Sequence, residues 1–188
     1  RLIRPVAAAL LVGLLTLSAP AAEVPDGYDR SVRPQAEQGP TPVEVAVFVI
    51  DIIKIDDIGQ SFTGSMYFDV RYYDPRLADP NAPRERIFGT DEIWWPDLGL
   101  VNRRKLDLLF PNVLKVDPEG HVVYNQRVFG DFSARYDLRS FPFDSQQLPI
   151  EVVSYSLGED EVKLAMNRDR SGRFESLSLS GWIIESGG

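Results

Sequence analysis

Residues Ser61 to Tyr73 alternate in character with a period of two. Phe62, Met66, Phe68, Val70 and Tyr72 fall on one side, while Ser61, Thr63, Ser65, Tyr67, Asp69, Arg71 and Tyr73 fall on the other. Only an extended chain separates side chains in this way, so the segment is predicted to be a β-strand with one face in a core. Val43 to Ile55 is nearly continuous in β-branched and aromatic residues instead, which predicts a strand buried on both faces. The two are joined by Asp56-Asp57-Ile58-Gly59-Gln60, a short hairpin turn with acidic residues at its tip.

The same reading extends downstream. Asn112 to Val116 and His121 to Val128 flank Asp117-Pro118-Glu119-Gly120, with Pro and Gly where a type I turn favours them. Gln147 to Tyr155, Val162 to Met166 and Phe174 to Glu185 are further predicted strands, broken by Gly158-Glu159-Asp160 and by Asn167 to Gly172. Helical periodicity nowhere exceeds about two turns. Many short strands between turn signals predict an all-β fold, an antiparallel β-sandwich in preference to a barrel.

The N-terminus reads differently. Arg1 and Arg4 precede an apolar run from Pro5 to Leu17, and Ser18-Ala19-Pro20-Ala21-Ala22 supplies small residues suited to cleavage, so residues 1–22 are expected to be a secretory signal. The alternative, an uncleaved anchor, would need ~20 apolar residues, more than this run holds. Residues 23–42, with Pro25, Gly27, Pro34, Gly39, Pro40 and Pro42, form an irregular lead-in to a domain over 43–188. The chain has 20 Lys plus Arg against 28 Asp plus Glu, and subtracting Arg1 and Arg4 takes the net charge from -8 to about -10. Such a surface cannot neutralise phosphates, which argues against a nucleic-acid partner. The single histidine, His121, stands beside a turn without clustered ligands, and no nucleophile elbow, phosphate-cradling glycine loop or zinc spacing occurs. No enzyme activity, cofactor or metal is therefore expected.

Between Ala134 and Leu148 the chain reads ARYDLRSFPFDSQQL. Proline fixes its own φ and restricts the residue before it, so Phe141-Pro142-Phe143-Asp144 is a stiff corner carrying two rings. Three further patterns accompany it: Trp94-Trp95-Pro96-Asp97 with Asn102 following, Tyr72-Tyr73-Asp74-Pro75-Arg76-Leu77, and Leu179-Ser180-Gly181-Trp182 with Glu185. In that order they resemble the signature loop, the W-x-P-D motif, the W-x-D-x-R-L motif and a late strand of the pentameric ligand-gated ion channels, the Cys-loop receptor family. Ala134 and Leu148 stand where most animal members carry cysteines, and the chain has no cysteine, so the resemblance narrows to the prokaryotic branch.

The resemblance implies an extracellular ligand-binding domain without its last strands or the four transmembrane helices of a channel. Partners would be identical subunits in a homopentamer, a small ligand of unknown identity, and the membrane, with the domain exported from a bacterial inner membrane to the periplasm or extracellular face. It also implies a ligand site between subunits. Tyr67, five residues before Tyr72, would present an aromatic on one face, and Tyr155, seven after Leu148, on the other. Val101, where a third aromatic is usual, offers no π-face, and Asn102 lies beside it. Tyr67 also stands out without any family comparison, as the one large ring within its strand's polar run, although capping of a neighbouring strand would account for it too. Phe141, Pro142, Phe143 and Asp144, with the neighbouring hairpin residues Asp56, Asp57 and Gln60, would couple binding to the pore. Solvated carboxylates and closure of a sandwich end are the plainer accounts of these residues. Tyr72, Asp74, Arg76, Trp94, Pro96 and Asp97 are expected to be structural, with Trp94 in the core, Trp95 half exposed, and Asp74 with Arg76 a weak surface pair.

The rival expectations are a secreted pentameric binding protein of the same fold and, more remotely, a generic periplasmic sandwich that binds carbohydrate or protein. Sequencing the reading frame past Gly188 separates channel from binding protein: the channel requires about four apolar segments of ~20 residues each.

Overall fold

The structure, a computed structural model, describes residues 22–82, 84–137 and 145–179. Phe141, Pro142, Phe143 and Asp144 lie outside the described residues, as do Gly181, Trp182, Glu185 and nearly all of the expected signal segment.

Among the described residues ten strands carry the fold: β1 (Thr41–Asp56), β2 (Ser61–Tyr73), β3 (Arg86–Gly89), β4 (Leu98–Leu100), β5 (Arg103–Leu108), β6 (Val113–Val116), β7 (His121–Ser133), β8 (Val152–Ser154), β9 (Val162–Met166) and β10 (Gly172–Arg173). Three long strands, β1, β2 and β7, run antiparallel in the centre of one sheet. Beyond β7, β6 pairs with its first half and β5 with its second, while β3 continues outward from β6. Beyond β1, β9 and β10 share the free edge, both parallel to it. A small second sheet pairs β4 with β8. The all-β sandwich expected from the sequence holds, with parallel pairing at β1 as the departure from an antiparallel pattern.

The alternation of β2 delivers what its spacing demands. Phe62, Met66, Phe68, Val70 and Tyr72 are all buried, and Phe62 stacks on its ladder partner Phe132 with ring centroids 5.2 Å apart. Leu100, Ile93 and Trp94 belong to the same core, and Leu98 and Val152 pack against it. Each fully buried aliphatic or aromatic side chain here contributes about 1.5–3 kcal/mol by leaving water. In β1 the inward residues are Val43, Val45 and Val47, then Ile52. The parity changes because the register with β2 slips between Val49 and Asp51, a bulge that turns Ile52 inward, and a second slip between Ile52 and Lys54 turns the strand back so that Ile55 packs against the core. Burial on both faces is therefore confined to Val45–Val47, and Ile53 is 46% exposed, contrary to the expectation for Val43 to Ile55.

Other boundaries differ for similar reasons. Gln147 to Tyr155 contracts to β8 because its partner β4 has only three residues to offer. The strand expected over Phe174 to Glu185 does not form across 174–179: β10 ends before it at Arg173, after which one ladder-like bond, from the Phe174 amide to the Val49 carbonyl at 3.0 Å, remains; the rest of that stretch lies outside the described residues. At the Asp117–Gly120 turn the Gly120 amide donates to the Asp117 carbonyl at 3.1 Å with φ of 95° at Gly120.

Gly130 marks where β5 approaches β7. A Cβ there would overlap the Lys105 carbonyl oxygen and meet the Leu106 Cα at 3.1 Å, both backbone atoms that cannot swing aside. Gly130→Ala should lift β5 from β7 and cost about 1–3 kcal/mol in urea unfolding, with the amides of β5 losing exchange protection before those of β1.

Candidate functional site

Asp74 directly follows β2 and has 0% exposed surface. Its Oδ1 accepts from the Arg76 backbone amide at 3.1 Å and Arg76 Nε at 2.8 Å. Its Oδ2 accepts from Arg76 Nη2 at 2.7 Å and the Tyr28 hydroxyl at 2.8 Å. A buried carboxylate is costly unless its lone pairs are filled, and these four donors fill them. The expected weak surface pair is thus corrected: the acid is in the interior because Tyr28, from the lead-in, closes over it. The Arg76 guanidinium stacks 4.6 Å above the Tyr28 ring. Burial, with the Asp74 charge adding to it against the Trp94 amide, pushes the Tyr28 hydroxyl well above the usual tyrosine range. The Tyr28 oxygen also accepts from the Trp94 amide at 3.0 Å, while the Tyr72 hydroxyl donates to the Trp94 carbonyl. Trp94 is buried edge-on to Tyr72, with centroids 5.0 Å apart, and Trp95 is half-buried against Tyr124.

The hydrogen bonding continues from this motif to Tyr155. The Pro96 carbonyl accepts from Ser154 Oγ at 2.6 Å, and the Asp97 carbonyl accepts from the Tyr155 amide at 3.0 Å. Asp97 itself is exposed and adopts φ of 50°. Tyr155 is 55% exposed, and its ring lies over Gly99, where any Cβ would collide with it. Val101 is exposed on the same strip. Asn102 is 8% exposed and its amide is occupied: Nδ2 donates to the Ser133 and Pro149 carbonyls, and Oδ1 accepts from the Glu151 amide. It fastens the strip from within.

Tyr67 stands on the other sheet, half-buried, with Arg127 as its ladder partner on β7 and the Phe110 ring 6.2 Å away. Burial and then Asp69 raise its hydroxyl pKa, with Arg71 opposing. Arg127 and Phe110 did not emerge from the sequence. The available signal was the β2–β7 register, which places Arg127 opposite Tyr67 and is invisible until the strands are paired.

At the opposite end of β2, Asp56 accepts from the Gly59 amide at 2.8 Å and Lys54 Nζ at 3.2 Å, which together hold its carboxyl below the usual range. Asp57 Oδ1 accepts from the Ile58 amide at 2.9 Å, leaving Ile58 92% exposed at the tip. Gln60 joins this turn to the chain leaving β7. Its carbonyl accepts from the Ala134 amide at 3.0 Å and Arg104 Nη2 at 2.9 Å, and its Oε1 accepts from the Tyr136 amide at 2.8 Å. Gln146 in turn clips the segment's two ends together, accepting from the Asp137 amide at 3.0 Å and donating to its carbonyl at 2.8 Å. Ala134 is buried and Leu148 packs against the core. Among the described residues no group of three or more metal-ligating side chains converges.

Tyr136 lies under this joint with its hydroxyl buried and without a hydrogen-bond partner among the described residues. Burial and then the nearby Asp56 charge push it up to about 12. The unfolded chain releases that proton near pH 10 while the folded chain retains it, so stability is full below about pH 10 and is lost as pH rises towards 12. Tyr136→Phe should leave stability at pH 7 unchanged or higher and flatten the loss between pH 10 and 12, read from denaturation midpoints across that range.

The sequence profile of the neurotransmitter-gated ion-channel ligand binding domain matches residues 21–186. The chain is 30% identical over 192 residues to the proton-gated ion channel of Gloeobacter violaceus, covering 97% of this chain and 52% of that protein. It is 31% identical over 170 residues to the human gamma-aminobutyric acid receptor subunit rho-2, covering 85% of this chain and 37% of the receptor subunit. It therefore spans about half or less of these curated relatives, which are channel and receptor proteins rather than enzymes. With the match running almost end to end, this chain belongs to the neurotransmitter-gated ion-channel ligand binding domain family.

Proposed function

We propose that this domain is the outer, ligand-sensing part of a bacterial pentameric ligand-gated ion channel, exported beyond the inner membrane. A small ligand would sit between adjacent subunits, meeting Tyr67 of one and the Tyr155 and Val101 strip of its neighbour. Gln60 is the observation that carries the coupling half of this reading: its Nε2 donates to the Asp57 carbonyl in the β1–β2 turn at 2.7 Å, while its oxygens accept from the Ala134 and Tyr136 amides at the start of the 134–148 segment. A shift in either segment is transmitted to the other through those bonds. Asp56, Asp57, Phe141, Pro142, Phe143 and Asp144 would then press on transmembrane helices, and binding would open the pore only as far as the ligand prefers the open arrangement.

The relatives' names cover a proton and an amino acid, gamma-aminobutyric acid. The pairing of Tyr67 with Arg127 supports the amino-acid class, since it sets a π-face for an ammonium beside a guanidinium for a carboxylate. In the full-length channel, Tyr67→Ala, Tyr155→Ala and Arg127→Gln should each raise the half-activating concentration of gamma-aminobutyric acid about tenfold. Currents that answer acidification alone, with the same midpoint in all three variants, would defeat this ligand assignment.

A further inference from the structure

We propose a second binding site, for a small carboxylate, in the cleft between the β1–β2 turn, the start of β5 and the chain on either side of the 134–148 segment. The cleft is open to solvent and has a volume of about 650 Å³, within the range of small-molecule sites, and its walls include Gln60, Arg104, Arg135, Pro149 and Glu151. It belongs to neither Tyr67 nor Tyr155, and it does not depend on the reading of those residues.

Arg104 is held in place before any ligand arrives. Its Nε donates to Ser133 Oγ at 2.9 Å and its Nη2 to the Gln60 carbonyl at 2.9 Å, while Nη1 makes no hydrogen bond among the described residues. A guanidinium fixed at one edge and open at the other is preorganised to receive a carboxylate. Arg135, exposed on the neighbouring stretch, makes no side-chain hydrogen bond or ion pair among the described residues. Opposite them Glu151 has its backbone amide bonded to Asn102 Oδ1, with its carboxylate unpartnered among the described residues. Arg104 and Arg135 meet one lining carboxylate, and Asp56, which also acts on Arg104, is already paired with Lys54 at 3.2 Å, so the cleft stays locally positive in a chain of net charge -8. Charges farther than about 8 Å are screened at physiological salt, so the local pair decides what binds.

An occupant would bridge the tether of the β1–β2 turn and both ends of the segment that Gln60 joins to it. Binding there would bias the joint without touching the tyrosines.

The test is saturation-transfer NMR of succinate with the full-length protein in detergent, at ionic strength held constant with chloride. Saturable binding is expected, weakened about tenfold by Arg135→Gln and tightened several-fold by Glu151→Gln, because the two changes remove opposite charges from one cleft. Tyr67→Ala should leave it unchanged. Equal half-saturation in the unaltered protein, Arg135→Gln and Glu151→Gln would overturn the site. So would loss of binding in Tyr67→Ala, which would place succinate between subunits instead.

Discussion

The buried Asp74 carboxylate is the constraint from which much of the architecture follows. Its four donors come from the lead-in and from the chain just past β2, and one of them, Tyr28, also holds the Trp94 amide. Losing any of them would strand a charge in the interior, so segments far apart in sequence must arrive together. The lead-in, irregular as it is, becomes an integral wall of the domain. From Trp94 the bonding runs through Pro96 and Asp97 to Ser154 and Tyr155, so an exposed ring is placed by a charge that solvent never reaches.

The two ends of β2 are built from different materials. At the Asp74 end, stacked and edge-on rings surround a satisfied acid. At the Gln60 end the turn itself is held by hydrogen bonds between side chains and backbone, with an isoleucine in water at the tip, and apolar packing resumes only below it at Phe62 and Phe132. Regions with little apolar burial open at low free-energy cost, whereas packed cores do not. The proposed role, holding a ligand surface still while passing on a displacement, would call for this division.

The strands that read clearly were those whose burial is one-sided and sustained. β2 and β9 occur with the bounds their residues suggest, as does the Asp117–Gly120 turn. β5 was not legible, because Arg103-Arg104-Lys105-Leu106-Asp107-Leu108 shows little apolar surface and is held chiefly by backbone pairing with β7. Nor was β4, three residues centred on a glycine that yields its space to Tyr155. Parallel pairing along β1 leaves no mark in local composition. For the candidate site, Tyr67 was visible as a ring on a polar face, but Arg127 became its neighbour only through register, and Tyr28 was hidden in a stretch without periodicity. Asn102 was picked out by position, yet its amide is consumed in fastening three strands' ends together.

The reciprocal clip between Gln146 and Asp137 does by hydrogen bonds what a covalent bridge does when cysteines are present. The chain has no thiol to oxidise, so closure of the 134–148 segment is indifferent to the redox poise of its surroundings. The domain needs neither an oxidising compartment nor a disulfide isomerase to complete this part of its fold, and no reductant can unlatch it. What can loosen the clip is competition from water, so the segment's closure is a reversible equilibrium with a rate rather than a bond made once.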